Sequence, residues 1–510
     1  MRFLFFVSLA AQRQFHSAMA SDQNGAAPES GQKRPRTTEE EVKGSDYWEE
    51  QASKVARKAC VRRDLYLDTI HRDRLDFDVE RVCSVSLSRT NVYACLVCGK
   101  YFQGRGPKTH AYFHSIDESH HVFMHLDTTR VYVLPDNYAV DDPSLADIQY
   151  QFELNFSDEQ LAQLDAPAQL SRDLHARTYV PGFLGLNNTA HHDAINVVLQ
   201  ALSHVAPLRD FFLRQKPGSD ATELLRRFGT LVRRLWNPRA FKRQVSPHEF
   251  LQQVSQASHG RFTASKACDP VDFFGWLLNQ LHRDLVGGSA SMARKTSSII
   301  TDIFQGAMRL ETQNVAVRTG LEESASSAVR VDRAVRVDEV PFLFLAMDLP
   351  PLPVFPDGSD SMMPQVPLAH LLAKYDGKTN QDLHGAIRRH KIKHLPPYLI
   401  LHFRRFTRNR FVDERNTTVV HFSPMGLDVQ ALVEAPDPQL GTTYKLMANI
   451  THEATAGTVR DQSTWSAQLH TRHVPPQWFQ LHDELVERVD PHMLFLGESY
   501  LQIWERVAPT

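Results

Sequence analysis

Two cysteines at a turn spacing, Cys95-x-x-Cys98, are followed by His114 and His120 within the stretch CLVCGKYFQGRGPKTHAYFHSIDESHH. Two thiolates and two imidazoles complete a closed tetrahedral shell for Zn2+, which leaves no open position for a substrate, so a metal held there is structural. His110, His121 and Cys83 lie close by, and spacing alone leaves the ligand choice open by one or two residues. Five cysteines in 510 residues are too few for a disulfide framework and suit a reducing compartment. A second group with chemical reach is the basic run Arg404, Arg405, Arg408, Arg410 and Arg415, which is either a contact for RNA phosphate or a solvated strand edge.

The elements that must position these residues follow from composition and periodicity. Lys plus Arg number 57 against 59 Asp plus Glu, so no global field coats nucleic acid, and 42% apolar residues exclude a wholly disordered chain. Residues 1–45 are rich in Ser, Gly, Pro and charge and are expected to be a disordered tail. Within it, Phe3 to Ala11 is an apolar run far too short to span a bilayer, Met19 is a plausible alternative start, and Lys33-Arg34-Pro35-Arg36 is a short cluster of nuclear-localisation type. Residues 60–155 pack Cys, His and aromatics into short runs divided by turns, as a small metal-stapled module does. Residues 156–178 form a linker with helical spacing at Leu161, Leu164 and Leu170. The remainder, 179–510, opens with amphipathic helices at Asp193 to Leu213, Thr222 to Trp236 and Val271 to Leu285. Strand-like runs follow at Val340 to Leu349, Tyr398 to Phe406, Thr417 to Phe422, Tyr444 to His452 and Tyr500 to Val507. Ser324 to Glu339, repetitive in Val-Arg and Val-Asp, reads as a strand edge or a surface insertion. Helices first and sheet later make the fold class α+β.

The first module resembles the zinc finger of ubiquitin hydrolases (UBP type), through the Gly-Arg pair at Gly104-Arg105 and the histidines that follow the CxxC. That resemblance assigns Cys95, Cys98, His114 and His120 to one complete zinc site. A second family site would fall on Cys83, Ser86, Gln103 and His110, which offer only two competent ligands, and a third, starting at Asp64 and Tyr66, finds no cysteines near Val133. One structural zinc is therefore expected. The resemblance also places Arg105 at the arginine that grips the ubiquitin C-terminal tail; read without it, Arg105 is a surface arginine.

The second domain resembles the ubiquitin-specific proteases, a papain-like cysteine-protease fold, in Gly185-Leu-Asn-Asn188, Asn196-Val-Val-Leu-Gln200, Asp272-Phe-Phe274, Leu395-Pro-Pro-Tyr-Leu-Ile-Leu-His-Phe-Arg-Arg-Phe406, Asn416-Thr-Thr-Val-Val-His-Phe422 and Tyr444-Lys-Leu446. A thiol protease needs a thiolate, a base and a group that orients the base. The matching motifs put Asp193 at the nucleophile, Ser463 at the base and His482 at the orienting carboxylate, with His191 at the oxyanion-stabilising position. No catalytic residue is expected, and the domain is expected to be an inactive deubiquitinase. Cys268 reads as inert, His191 and His192 as a solvated helix cap, and His452 as a packing residue of a strand. The zinc-stapling cysteine pairs of many family members are missing, since no cysteine follows Cys268.

A subgroup of this family joins such a finger directly to a protease-like domain with Asp at the nucleophile position, and the chain is similar to it in Tyr66-Leu-Asp-Thr-Ile70, Tyr93 to Gly106, Leu134-Pro-Asp-Asn-Tyr138, Ser246-Pro-His-Glu249 and Ile503-Trp504. The resemblance implies a nuclear, non-catalytic pre-mRNA splicing factor that supports the spliceosomal tri-snRNP as a protein-binding scaffold, with small nuclear RNA a further contact and no membrane partner. The alternative is a ubiquitin-binding module outside splicing.

Overall fold

The computed structural model describes residues 66–508, except for 167–169, 215–217, 219–220, 288–295, 318–328, 352–363, 384–385, 409–412, 438, 455–463 and 474. The chain divides after Arg63, and everything described belongs to the unit Asp64–Thr510. The tail 1–45, Met19 and Lys33 to Arg36 lie outside the described residues.

The finger is a five-stranded antiparallel sheet in the order β2-β1-β3-β4-β5, built from β1 (Val92–Cys95), β2 (Tyr101–Gln103), β3 (Val122–His125), β4 (Val131–Val133) and β5 (Tyr138–Val140). Strand alternation sends Val92 and Ala94 to one face and Tyr93 and Cys95 to the other, and each face has its own small core. Helix α1 (His110–Asp117) joins β2 to β3 on the Cys95 side, and α2 (Ala146–Phe152) closes the opposite core through Ile148.

The linker is less helical than its spacing predicts. Only α3 (Asp158–Gln163) forms, started by a reciprocal capping box between Ser157 and Gln160. Leu161 is buried beneath it while Leu170 is exposed, so the three leucines do not share a face.

The second domain begins with α4 (Asp193–Ser203), α5 (Ala206–Arg214), α6 (Glu223–Leu235), α7 (His248–Ala257), α8 (Pro270–Val286) and α9 (Ile299–Phe304). The single helix expected over Asp193 to Leu213 is two. The chain turns at His204, and Pro207 falls in the first turn of α5, where a missing N–H costs nothing. A four-stranded antiparallel sheet, β7-β6-β10-β9, combines β6 (Gly306–Val317), β7 (Val329–Phe342), β9 (Gln381–Leu383) and β10 (Ala386–His394). The charged Val-Arg and Val-Asp repeat thus becomes β7, at the sheet's edge, and its first residues, 324–328, lie outside the described set. An eight-stranded sheet runs β8-β11-β17-β13-β14-β15-β16, with β12 also on β13. Its members are β8 (Leu345–Asp348), β11 (Tyr398–Arg404), β12 (Met425–Asp428), β13 (Thr443–Glu453), β14 (Thr464–His470), β15 (Trp478–His482), β16 (Leu485–Val489) and β17 (Glu498–Arg506).

Helix α4 lies on β14 and β13, with Ile195, Val198, Leu199 and Leu202 in one core with Ile450, Ala467 and Leu469. The finger is seated on α6 and the loop after it by a charge cluster centred on the buried Asp78. Arg234 lies 3.3 Å from Asp78, and Lys242 lies 2.9 Å from Asp76 and 3.1 Å from Asp78. Ser246 N–H donates to the same Asp78 carboxylate at 3.1 Å. No helix among the described residues is long and apolar enough to cross a membrane.

Candidate metal centre and hydrolase-type cleft

The finger brings its four singled-out residues together. The ligand atoms of Cys95, Cys98, His114 and His120 all lie within 4.8 Å of one another, Cys95 being buried and the other three partly so. Cys95 ends β1, Cys98 follows on the turn, His114 comes from the middle of α1, and His120 from the loop into β3. Cys98 Sγ is 3.4 Å and His120 Nδ1 3.0 Å from His114 Nε2. The two thiols share a hydrogen bond that, aided against burial by the Lys100 N–H and both imidazoles, lowers Cys98 and raises Cys95, so Cys98 is the first of the pair to lose its proton. The donor set suits Zn2+: two sulfurs and two imidazole nitrogens with bonds of roughly 2.0–2.3 Å fit inside this span and leave no ligand over. The ring of His114 stacks on Phe102 at 4.1 Å, which fixes its orientation. His121 turns away, its Nδ1 2.8 Å from the Leu134 carbonyl.

Around Cys83, where the resemblance would set a second zinc site, the side chains are hydrogen-bonded to one another. Ser86 Oγ donates to Gln103 Oε1 at 2.9 Å and Ser86 N–H points at the buried Cys83 sulfur at 3.4 Å. Arg105 is not a loose surface arginine: its guanidinium lies 4.3 Å over the Tyr132 ring and donates to Asn137 Oδ1 at 2.9 Å.

The hydrolase-type cleft lies where the N-terminus of α4 meets β14 and the β15–β16 turn. Asp193, the first residue of α4, accepts the Trp465 N–H at 3.1 Å. Burial pushes its carboxyl up, two backbone N–H groups (Ala194 and Trp465) oppose that, and the Asp483 charge adds to it while His482 opposes it. Ser463 lies outside the described residues, two positions before the N–H that Asp193 holds. His482 ends β15 beside Asp483, whose two carboxylate oxygens accept from Asn188 at 3.0 Å and Asn196 at 2.8 Å. Asp483 sits in the left-handed region at φ 51°, and its carbonyl accepts Leu186 N–H at 2.9 Å. The crossing is so close that a Cβ on Gly185 would stand 2.6 Å from the Glu484 backbone.

Other expectations change with the structure in hand. His191 is exposed, but His192 is not a solvated cap: it is 2% exposed, with Nε2 3.0 Å from the Asn187 carbonyl. Cys268 precedes α8 and its thiol is pushed up to about 12 by burial and by Asp269 and Asp193, so it is a thiol and not a thiolate at neutral pH. His452 packs in β13 between Phe406 (5.1 Å) and Trp465 (4.7 Å). The basic run is dispersed: Arg404 is 3.0 Å from Asp348, and Arg415 is 3.7 Å from Glu498. Arg405 is fully buried and donates to the carbonyls of Ser499, Asn416 and Thr418 at 2.6, 2.9 and 2.8 Å. An RNA contact through Arg405 is thus excluded by its role in tying strand carbonyls; Arg410 lies outside the described residues. Sequence reasoning treated Asn188 and Asn196 only as motif anchors and missed their clamp on Asp483; two amides flanking a helix start, with Asp483 directly after the orienting position, were the signal available.

The finger and this cleft define a class. Residues 184–504 match the ubiquitin carboxyl-terminal hydrolase family and residues 83–145 the zinc finger found in ubiquitin hydrolases and other proteins. The chain belongs to the ubiquitin carboxyl-terminal hydrolase family. Within it, the chain is 42% identical over 451 residues to the "Probable mRNA-splicing protein ubp10" of Schizosaccharomyces pombe, covering 88% of this chain and 89% of that one. It is 43% identical to human "Ubiquitin carboxyl-terminal hydrolase 39" over 86% of this chain and 79% of the relative. A solved structure described as "Crystal structure of an essential yeast splicing factor" superposes with a TM-score of 0.68 at 30% identity, over 87% of this chain and 99% of that one.

Proposed function

We propose that the protein is a nuclear, non-catalytic pre-mRNA splicing factor, a scaffold that supports assembly or stability of the tri-snRNP by binding its proteins, and small nuclear RNA where a basic surface remains. Its parts are a tail over 1–45, a UBP-type finger over 60–155 holding one structural zinc on Cys95, Cys98, His114 and His120, a linker over 156–178, and an inactive ubiquitin-specific-protease-like domain over 179–510. The single observation that carries the non-catalytic reading is Asp193: a carboxylate at the nucleophile position, occupied by the Trp465 N–H, is a poor attacker of an isopeptide. Asp483, held by two amides, is equally committed to structure. The splicing assignment rests on the splicing proteins among the relatives and on their coverage of the whole finger-plus-hydrolase arrangement. The test is a pull-down of the tagged chain from nuclear extract, with proteins and small RNAs identified, beside a ubiquitin-amide hydrolysis assay. Recovery of tri-snRNP proteins and RNAs without hydrolysis is expected; hydrolysis abolished by Asp193→Ala overturns the reading.

A second reading is favoured by Arg105, held over Tyr132 by Asn137 in the finger. In it the protein is a ubiquitin-binding module outside splicing. Micromolar binding of free ubiquitin that Arg105→Ala removes, with ubiquitin conjugates and no RNA in the pull-down, supports that reading.

A further inference from the structure

Strand β7 is hydrogen-bonded to β6 on one side, and among the described residues no strand pairs with its other edge. A free edge offers a row of backbone N–H and C=O groups to any extended chain, and proteins commonly blunt such edges with lysine, proline or a bulge. The outer part of β7 carries the charges of Arg336, Asp338 and Glu339 and has Pro341 near its end, but it has no bulge. From Val335 to Val340 it runs in unbroken register with β6, beyond the irregularity between Gln313 and Val315. The stretch Ala334-Val-Arg-Val-Asp-Glu-Val340 holds no lysine or proline. Three of its valines are exposed, Val335 at 44%, Val337 at 56% and Val340 at 37%.

The charge pattern of this edge says what fits it. We propose that it pairs antiparallel with the same edge of a second copy of this chain, on a two-fold axis at Val337. In that register Val337 meets its own copy, Arg336 meets Asp338, Val335 meets Glu339 and Ala334 meets Val340. Opposed residues lie on one face of the joined sheet, as an antiparallel ladder requires. One face gains two opposite-charge pairs, and the other covers the most exposed valine. Neighbouring registers are penalised: an axis at 336 sets Arg336 against Arg336, and an axis at 338 sets Asp338 against Asp338. In the single chain Arg336 and Asp338 pair with each other at 2.8 Å, with Arg336 79% solvent-exposed, so exchanging that contact for one across the axis costs little. The contact is isologous and closes at two copies. Seven residues a side is well below the roughly 20–30 of a standard interface, so the association is weak and depends on concentration.

Cysteine trapping tests both the pairing and its register, on the full chain with zinc present. Residues opposed in an antiparallel ladder have Cα atoms about 4.5–5.5 Å apart, within disulfide reach. Val337→Cys is expected to form a disulfide-linked dimer under mild oxidation, whereas Val335→Cys, also exposed but facing Glu339, and the unsubstituted chain are not. In sedimentation velocity Arg336→Asp is expected to stay monomeric at concentrations where the unsubstituted chain associates, and Arg336→Asp with Asp338→Arg to recover association. Val335, Arg336 and Val337 are exposed and Asp338 is partly so, and unchanged circular dichroism confirms that the variants fold. Equal cross-linking of the two cysteine variants, no cross-linking of either, or association indifferent to Arg336→Asp overturns the proposal.

Discussion

Asp193 is the residue at which a catalytic and a structural reading of the cleft differ most. Its carboxylate accepts the N–H of Trp465 at 3.1 Å, beneath a buried indole, and ties the start of α4 to β14. In Asp193→Ala that N–H loses its acceptor in a place with little water, which costs about 1–3 kcal/mol. Loss of an acidic side chain from the first turn of α4 adds about 0.3–1 kcal/mol. Relief of a carboxylate that burial and Asp483 disfavour offsets part of this, so the net expected loss is about 1–3 kcal/mol. Asp193→Asn keeps an acceptor oxygen and removes the charge. The sign of its pH dependence follows from the raised carboxyl. The folded protein favours the protonated form, so the contribution of Asp193 is complete below the ordinary value of 3.8 and is lost as pH rises through the higher folded value. Asp193→Asn should therefore match the unsubstituted chain at pH 3.5 and equal or exceed it at pH 7. Urea unfolding at the two pH values, compared by midpoint at unchanged slope, measures both. Asp193→Ala within about 0.5 kcal/mol of the unsubstituted chain, or Asp193→Asn falling as far as Asp193→Ala at pH 7, refutes the reasoning.

Three further outcomes are expected. Cys98→Ala should abolish retention of zinc, measured as metal per chain after dialysis at about one equivalent for the unsubstituted protein, and should lower the melting temperature, since binding energy at a structural zinc site is folding energy. Arg405→Met should cost about 3 kcal/mol by leaving the carbonyls of Ser499, Asn416 and Thr418 unpaired, while Arg404→Ala next to it, on an exposed pair with Asp348, should stay within about 0.5 kcal/mol in the same denaturation assay. His204, His402 and His470 are each pulled down to about 4 by burial, so their contribution is complete above the ordinary value of 6.5 and is lost as pH falls towards 4. Stability should fall over that window by up to roughly 3 kcal/mol per histidine, and replacing His204 by Asn should flatten the profile.

What was legible in the sequence is what depends on near neighbours. The CxxC turn and the two histidines after it specify a ligand set because a knuckle and one short helix bring them together, and periodicity at Thr222 to Trp236 and Val271 to Leu285 predicts helices that form within a residue of those bounds. The break at His204 was hidden because Ile195, Val198 and Leu202 continue in phase with Val205 and Leu213, all buried, while the proline that restarts the helix is tolerated in its first turn. The arginine run misled for a different reason. Arg404 ends its strand and reaches solvent while Arg405 just after it enters the core, and only the carbonyls of other segments, Ser499 among them, reveal that Arg405 has a buried role.

The same long-range logic bears on the proposed absence of catalysis. A protein that merely lost a nucleophile or a zinc ligand would keep buried polar partners without bonds, each costing about 1–3 kcal/mol. Here the polar groups at and beside those positions are hydrogen-bonded: Asp193 with the Trp465 N–H, Asp483 with Asn188 and Asn196, Ser86 with Gln103. Each bond joins separate segments of the chain, so changing one of these residues alone breaks a contact. On the proposed assignment, Asp193→Cys alone should therefore lose the Trp465 bond without gaining hydrolysis, because Ser463 stands at the base position and His482 at the orienting one, and the neighbouring Asp483 is already occupied by two amides. A ubiquitin-amide substrate cleaved by that single variant would show that the cleft remained poised for catalysis, and would remove the case for a structure rebuilt around its absence.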